Sequence, residues 1–383
     1  MFLSAKFRLA DCAGKHASRL QLGSANGHLL ERIRLELRRQ LRRAIHGISR
    51  SRGAVVRRRL GGGGLPHGLW RPIAHRALER CSVDRCACRP NGGRPDVFNS
   101  VTTTGPVDAW AVGSSAGVSG FQEATLIEHW NGRAWTVVAA PNPGLVWNEL
   151  DSVVALSKND VWAVGYYKDD AAPARVLAEH WDGKSWRVVN APSPGSGWNE
   201  LANLSASSPT DLWAVGWTQD DGPRQSLVEH WNGITWAQVS INARSVQELR
   251  AVVAVSANEA WAVGPMGGPQ GFERWDGTNW NPMTVPTPGP GVEIWGISAS
   301  TASDAWVAGG VIDRGYRPLL EHWDGTNWKV IAAPGGISAG RLTGVLSLSS
   351  KDVWIVGTRQ ASQPLTLIEH WDGSTWSEVQ SPA

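Results

Sequence analysis

The run Asp108-Ala109-Trp110-Ala111-Val112-Gly113, followed by Glu128-His129-Trp130-Asn131-Gly132, decides the fold, because variants of both signatures return five more times along the chain. The tryptophan of the first signature recurs at Trp162, Trp213, Trp261, Trp306 and Trp354, at spacings of 52, 51, 48, 45 and 48 residues. The second signature places Trp130, Trp181, Trp231, Trp275, Trp323 and Trp371, and five residues after each stands another tryptophan, from Trp135 to Trp376. This period absorbs 18 of the 23 tryptophans. A repeat of that length indicates a propeller or a repeat array.

Each repeat reads as four short strands. In the second repeat they are predicted at Leu150 to Leu156, Val161 to Gly165, Val176 to Trp181 and Ser185 to Val189, all rich in Val, Leu and Trp. Asp182-Gly183, with Asn131-Gly132 and Asn232-Gly233 in sister repeats, suits a tight hairpin between the third and fourth strands, since Asn and Gly tolerate positive φ. Segments such as Pro192-Ser193-Pro194-Gly195 then lead to the next repeat. No helix fits between the strands, which removes α/β alternatives. A lone four-stranded sheet cannot bury its faces, so the sheets must stack. One buried Trp removes roughly 200 Å² from water, worth about 5 kcal/mol gross at ~25 cal/mol per Å². The expected architecture is therefore all-β: a six-bladed β-propeller of four-stranded antiparallel blades over residues 97–383, with blades at 97–145, 146–196, 197–244, 245–289, 290–336 and 337–383.

The order of inner strand, strand ending in Gly, aromatic and Asp turn, Trp, and Pro-rich link resembles the kelch repeat, the blade of the galactose oxidase central domain. Gly309-Gly310 keeps the kelch Gly pair, whereas Trp181 and its equivalents stand where kelch has Tyr, so the chain is similar to a Trp-rich, bacterial-type variant. The resemblance implies a propeller and, because related bacterial propellers are often exported, an extracellular or cell-envelope location. A copper oxidase is disfavoured, since that site needs a Cys to Tyr crosslink and the residues from Asp96 onward contain no Cys.

Residues 1–95 are of another kind. They hold 21 of the 37 Lys and Arg but 5 of the 34 Asp and Glu, so a segment near +16 precedes a domain near −13. Leu29 to Ser49 reads as a basic amphipathic helix, and the rest as a low-order arm, either disordered or an extension from a wrong start site or frame. Nucleic acid would be met only through this arm. Cys81, Cys86 and Cys88 lack the paired spacing of a zinc site, and no apolar run matches a signal peptide or a membrane span.

Comparison among repeats points to one face. The turns between first and second strands, and between third and fourth, are nearly constant; the second-to-third loops and the blade links, which emerge at the other end, vary. Variable loops on a constant frame carry binding. The candidates are Tyr166, Tyr167, Lys168, Asp169, Asp170 and Arg175 in blade two, Trp217, Asp220, Asp221 and Arg224 in blade three, and Asp313, Arg314, Tyr316 and Arg317 in blade five. The links add Trp147 and Trp198, each followed by Asn-Glu. Blander roles compete with these: Asp and Gly with Pro make turns unaided, and the two tryptophans could cap gaps between blades. His129, His180, His230, His322 and His370 resemble a metal set, but each occupies the same repeat position, with Arg274 in the remaining repeat, so a structural role is expected. The predicted function is a non-catalytic binding or scaffold propeller recognising a protein or glycan partner as a monomer, with no metal, cofactor or catalytic residue. The alternative is a hydrolase or lyase using the paired carboxylates.

Overall fold

A computed structural model describes residues 3–6, 96–105, 107–116, 123–241, 248–264, 271–283, 285–286, 291–313, 315–332, 339–360 and 365–379. The six repeats form six separate antiparallel sheets, each with its own four strands in chain order. Their first strands are Val97–Gly105, Trp147–Ser157, Trp198–Ser208, Ala251–Ser256, Val292–Thr301 and Gly340–Ser349. The second strands carry the Trp-Ala-Val-Gly signature, as in Asp160–Lys168 and Asp211–Gln219, and the third carry Glu-His-Trp, as in Arg175–Trp181 and Gln225–Trp231. The fourth are short, for example Trp186–Val188. The predicted hairpin turns hold: Gly132, Gly183, Gly233, Gly277, Gly325 and Gly373 all have φ near +90°, where a side chain would be strained.

One expectation is corrected. The first strands start earlier and the second strands end later than predicted in the second repeat, at Trp147 instead of Leu150 and at Lys168 instead of Gly165. Polar Asn148 and Glu149 read as a link, yet they extend the ladder, with Trp147 opposite Lys168 and Glu149 opposite Tyr166. From the basic segment, Leu3–Lys6 adds a fifth strand to the first sheet, antiparallel to Ser100–Thr103. The predicted helix over 29–49 and the four cysteines lie outside the described residues.

Tryptophans join the sheets face to face. The second-strand Trp of one blade wedges against the Trp pair of the next: Trp110 lies 5.0 and 5.5 Å from Trp181 and Trp186, Trp162 lies 4.6 and 5.8 Å from Trp231 and Trp236, and Trp213 lies 4.8 and 5.0 Å from Trp275 and Trp280. Trp261 shares a core with Trp323 and Trp328, and Trp306 lies 5.7 Å from Trp376. Inner strands are also tied edge to edge. Ser100 and Thr102 accept from the Val153 and Ala155 amides, Ser152 from Leu204, Asn203 from Val252, Ser205 from Ala254, and Ser298 from Ser347. These side chains satisfy donors that an open strand edge would leave unpaired.

The repeated histidines are absorbed by the frame. Each Nε2 meets the Asp of Asp-x-Trp at 2.6 to 3.1 Å, and each ring lies 4.1 to 4.3 Å from the second-strand Trp. Blade four substitutes a longer pair, Arg274 bound twice by Glu259 at 2.8 Å. Among the described residues no group of three or more His, Cys, Asp or Glu is placed to hold a metal ion, and no helix is long and apolar enough to cross a membrane.

Candidate binding face

A backbone irregularity aims the site. In five first strands the register slips by one residue, at Phe98/Ser100, Leu150/Ser152, Leu201/Asn203, Ile294/Gly296 and Leu342/Gly344. The bulge carries the carbonyl just before it into the second strand, where Gly113, Gly165, Gly216, Gly309 and Gly357 stand; a Cβ on any of them would collide with the carbonyl oxygen of Val97, Glu149, Glu200, Glu293 or Arg341. The signature Gly is thus a requirement of the bulge. The residues whose carbonyls approach it form one register position around the inner strands, and Glu248 of blade four completes the set.

From that position a chain of contacts crosses all six blades. Asn99 donates to Glu149 Oε1 at 2.8 Å, and the Tyr166 hydroxyl donates to Glu149 Oε2 at 3.1 Å. The Tyr166 ring lies 4.9 Å from Trp198, whose indole N–H donates to Glu200 Oε2 at 3.1 Å. Trp198 stacks on Trp217 at 5.9 Å with an interplanar angle of 7°, and the Arg224 guanidinium lies 3.6 Å from the Trp217 ring centre. Arg224 and Arg250 both pair with Glu248. Arg250 lies 4.4 Å from the Trp295 ring, and Arg341 lies 5.5 Å from Trp295 and 5.6 Å from Tyr316. Trp147 flanks the belt 6.3 Å from Trp198.

Charge differs along this belt. Burial raises the Tyr166 phenol above its ordinary value, and the negative charges of Glu149, Asp151 and Glu200 add to the rise, so it remains a donor. For Glu248 burial acts upward, but the hydrogen bond from Arg224 and the charge of Arg250 outweigh it and leave the carboxyl lowered.

The sequence candidates divide. Trp147, Trp198, Tyr166, Trp217, Arg224 and Tyr316 meet in the belt, though on strand ends or beside them instead of in free loops. Tyr167, one residue on, faces the opposite side of its sheet and packs against the core around Trp110 and Trp186. Asp169 accepts from the Leu145 amide at 2.8 Å, while Asp220 accepts from the Ser196 and Gly197 amides at 2.6 and 3.2 Å, so both tie a blade link to a second-strand end. These bonds, led by that from the Ser196 side chain, lower the Asp220 carboxyl. Asp170, Asp221 and Arg175 are exposed, Arg317 pairs with Asp313 at 2.8 Å, and Arg314 lies outside the described residues.

Trp-Asn-Glu turns out to hold three separate jobs. Asn148 is 3% exposed and bonds the Gly144 amide, the Gly144 carbonyl and the Glu123 carbonyl; Asn199 repeats this with Gly195 and Ala174. Asn therefore closes the link, leaving Trp and Glu to face the belt. Sequence reasoning missed Asn99, Glu248, Arg250, Trp295 and Arg341. A signal existed, because the bulge position reads Asn99, Asp151, Ala202, Trp295 and Thr343, with Arg250 equivalent in blade four, while the residue before it is Phe, Leu or Ile in every repeat. On the constant-turn side, an open depression of about 370 Å³ is lined by Asn258, Glu259, Arg274, Asp276, Asn281 and Met283.

No protein-family model matches the sequence, and no curated protein matches it. Solved structures similar in fold include YCF48 from Cyanidioschyzon merolae, at 15% identity and TM-score 0.43 over 71% of this chain and 81% of that one. A GH74 xyloglucanase from Xanthomonas campestris aligns at 14% identity and TM-score 0.46 over 71% of this chain and 43% of its own. The fucose-specific lectin from Aleuria aurantia aligns at 13% identity and TM-score 0.42 over 76% and 91%. At these identities and TM-scores the likenesses identify neither a family nor a ligand for this chain.

Proposed function

We propose that this chain is a non-catalytic binding module, a kelch-like propeller that holds a protein or glycan partner on its variable face. One observation carries the reading: aromatic, charged and amide side chains drawn from all six blades touch in sequence at one end of the sheets, most of them in positions where the repeats differ, while the frame beneath repeats with little change. Aromatic and Arg-rich surface of this kind supplies much contact area at low entropy cost. The engagement of Asp169 and Asp220 by link amides supports a turn role for them over an acid and base pair. The test is a glycan and peptide array probed with the wild-type chain and with the Trp147→Ala, Trp198→Ala double variant. Loss of the wild-type signal with unfolding nearly unchanged is the expected outcome. Full retention by the variant would move the site elsewhere, and turnover that disappears with Asp169→Asn or Asp220→Asn would favour the hydrolase or lyase.

A further inference from the structure

Blades three to five show what the belt accepts. Arg224 bridges the Glu248 carboxylate and the Trp217 ring, and Arg250 bridges the same carboxylate and Trp295. The unit is a carboxylate at the inner-strand register position beside an indole face, closed by a guanidinium. Blade two repeats the first two parts: Glu149 occupies the register position of Glu248, the indole of Trp198 stands 4.9 Å from its partner Tyr166, and that of Trp147 lies 6.3 Å from Trp198. The third part differs. Glu149 is oriented by the neutral donors Asn99 and Tyr166, and among the described residues no Lys, Arg or His lies within ion-pair distance of it. One cation does reach the indoles: the Lys168 ammonium lies 5.3 Å from the Trp147 ring centre and 5.9 Å from that of Trp198.

We propose that Glu149 with Trp147, Trp198 and Tyr166 forms a receptor for one cationic side chain, an Arg or Lys of a basic peptide, with Lys168 as the internal group it displaces from the indole faces. This rests on the reading that the variable face is the binding surface. Cation to indole attraction strengthens as the pair is desolvated, and the nearby carboxylates of Asp151 and Glu200, which help raise the Tyr166 phenol, add to the field that a cation meets. A neutral sugar would gain nothing from that field.

The probe is the acetylated pentapeptide amide Gly-Gly-Arg-Gly-Gly, compared by calorimetry on the full chain with its Lys, Gln and Glu counterparts. The Arg and Lys peptides should bind at least about tenfold more tightly than the others, a margin near 1.4 kcal/mol, and should weaken as salt rises. Glu149→Gln should remove most of that margin, Lys168→Met should tighten binding, and Asp182→Asn on the opposite face should leave it unchanged. Equal affinity of the Arg and Gln peptides for both wild type and Lys168→Met, or an unaltered margin in a folded Glu149→Gln variant, would overturn the proposal. If a glycan or neutral peptide bound instead and Trp147→Ala abolished it, the face would stand and the cation receptor would fall.

Discussion

At the scale of single residues, burial separates frame from face. Trp213 is 1% exposed and held between blades three and four, so Trp213→Ala should cost about 3 to 5 kcal/mol in urea unfolding. Trp147 is only partly buried at the belt's edge, and the same change there should cost clearly less. Equal losses would erase the distinction. The glutamate before each repeated His, or before Arg274 in blade four, poses a different question, because Glu179, Glu229, Glu273 and Glu369 are 0% exposed and their carboxyl oxygens have no hydrogen-bond partner among the described residues. Burial pushes Glu179, Glu229 and Glu321 up to about 8 and Glu273 to about 7, against 4.5 for the free side chain. These glutamates hold more protons in the folded than in the unfolded state between about pH 4.5 and 8, so the stability they contribute is fully present below that window and is lost as pH rises through it. Thermal unfolding should show a Tm that drops from pH 5 to pH 9, with a shallower drop in Glu179→Gln. A Tm rising over that range would contradict the assignment.

At the scale of elements, the bulge and its glycine join frame to site. Gly165→Ala places a methyl against the Glu149 carbonyl, so it should destabilise by about 1 to 3 kcal/mol and weaken ligand binding by displacing Glu149. Gly222 has no heavy atom within 4 Å of its would-be Cβ, and Gly222→Ala should stay within about 0.5 kcal/mol. Unfolding curves of the two variants check this directly; similar small shifts in both would mean that the close approach is not a constraint. The same element explains what the sequence could and could not disclose. Four strands per repeat and the Asn-Gly and Asp-Gly hairpins are visible as Trp spacing and turn chemistry, both local properties. The bulge is a pairing property: one extra residue flips the alternation, so Trp147-Asn148-Glu149 reads as a polar link while it continues the ladder. For that reason Trp147 and Tyr166 were legible as candidates through loop variation, whereas Arg250, Trp295 and Arg341, inside or beside inner strands, were not.

At the scale of the whole molecule, the frame is the work of residues 96–383, since every sheet has its own four strands and the fifth strand of the first sheet is an addition to a complete set. A chain beginning at Asp96 should keep its β-sheet circular dichroism and unfold cooperatively; loss of either would show that Leu3–Lys6 is integral. The charge division, near +16 against −13, leaves the sheets acidic, which suits a face that receives cations. In the proposed arrangement the constant hairpin turns and the binding face occupy opposite ends of the same sheets. Amide hydrogen exchange of the full chain, with and without the Arg pentapeptide or an array-selected ligand, tests this most directly. Added protection is expected at 144–149, 166–169, 195–200 and 217–224, with none at the hairpin turns 131–134, 182–185 and 232–235. Protection confined to those turns would contradict it.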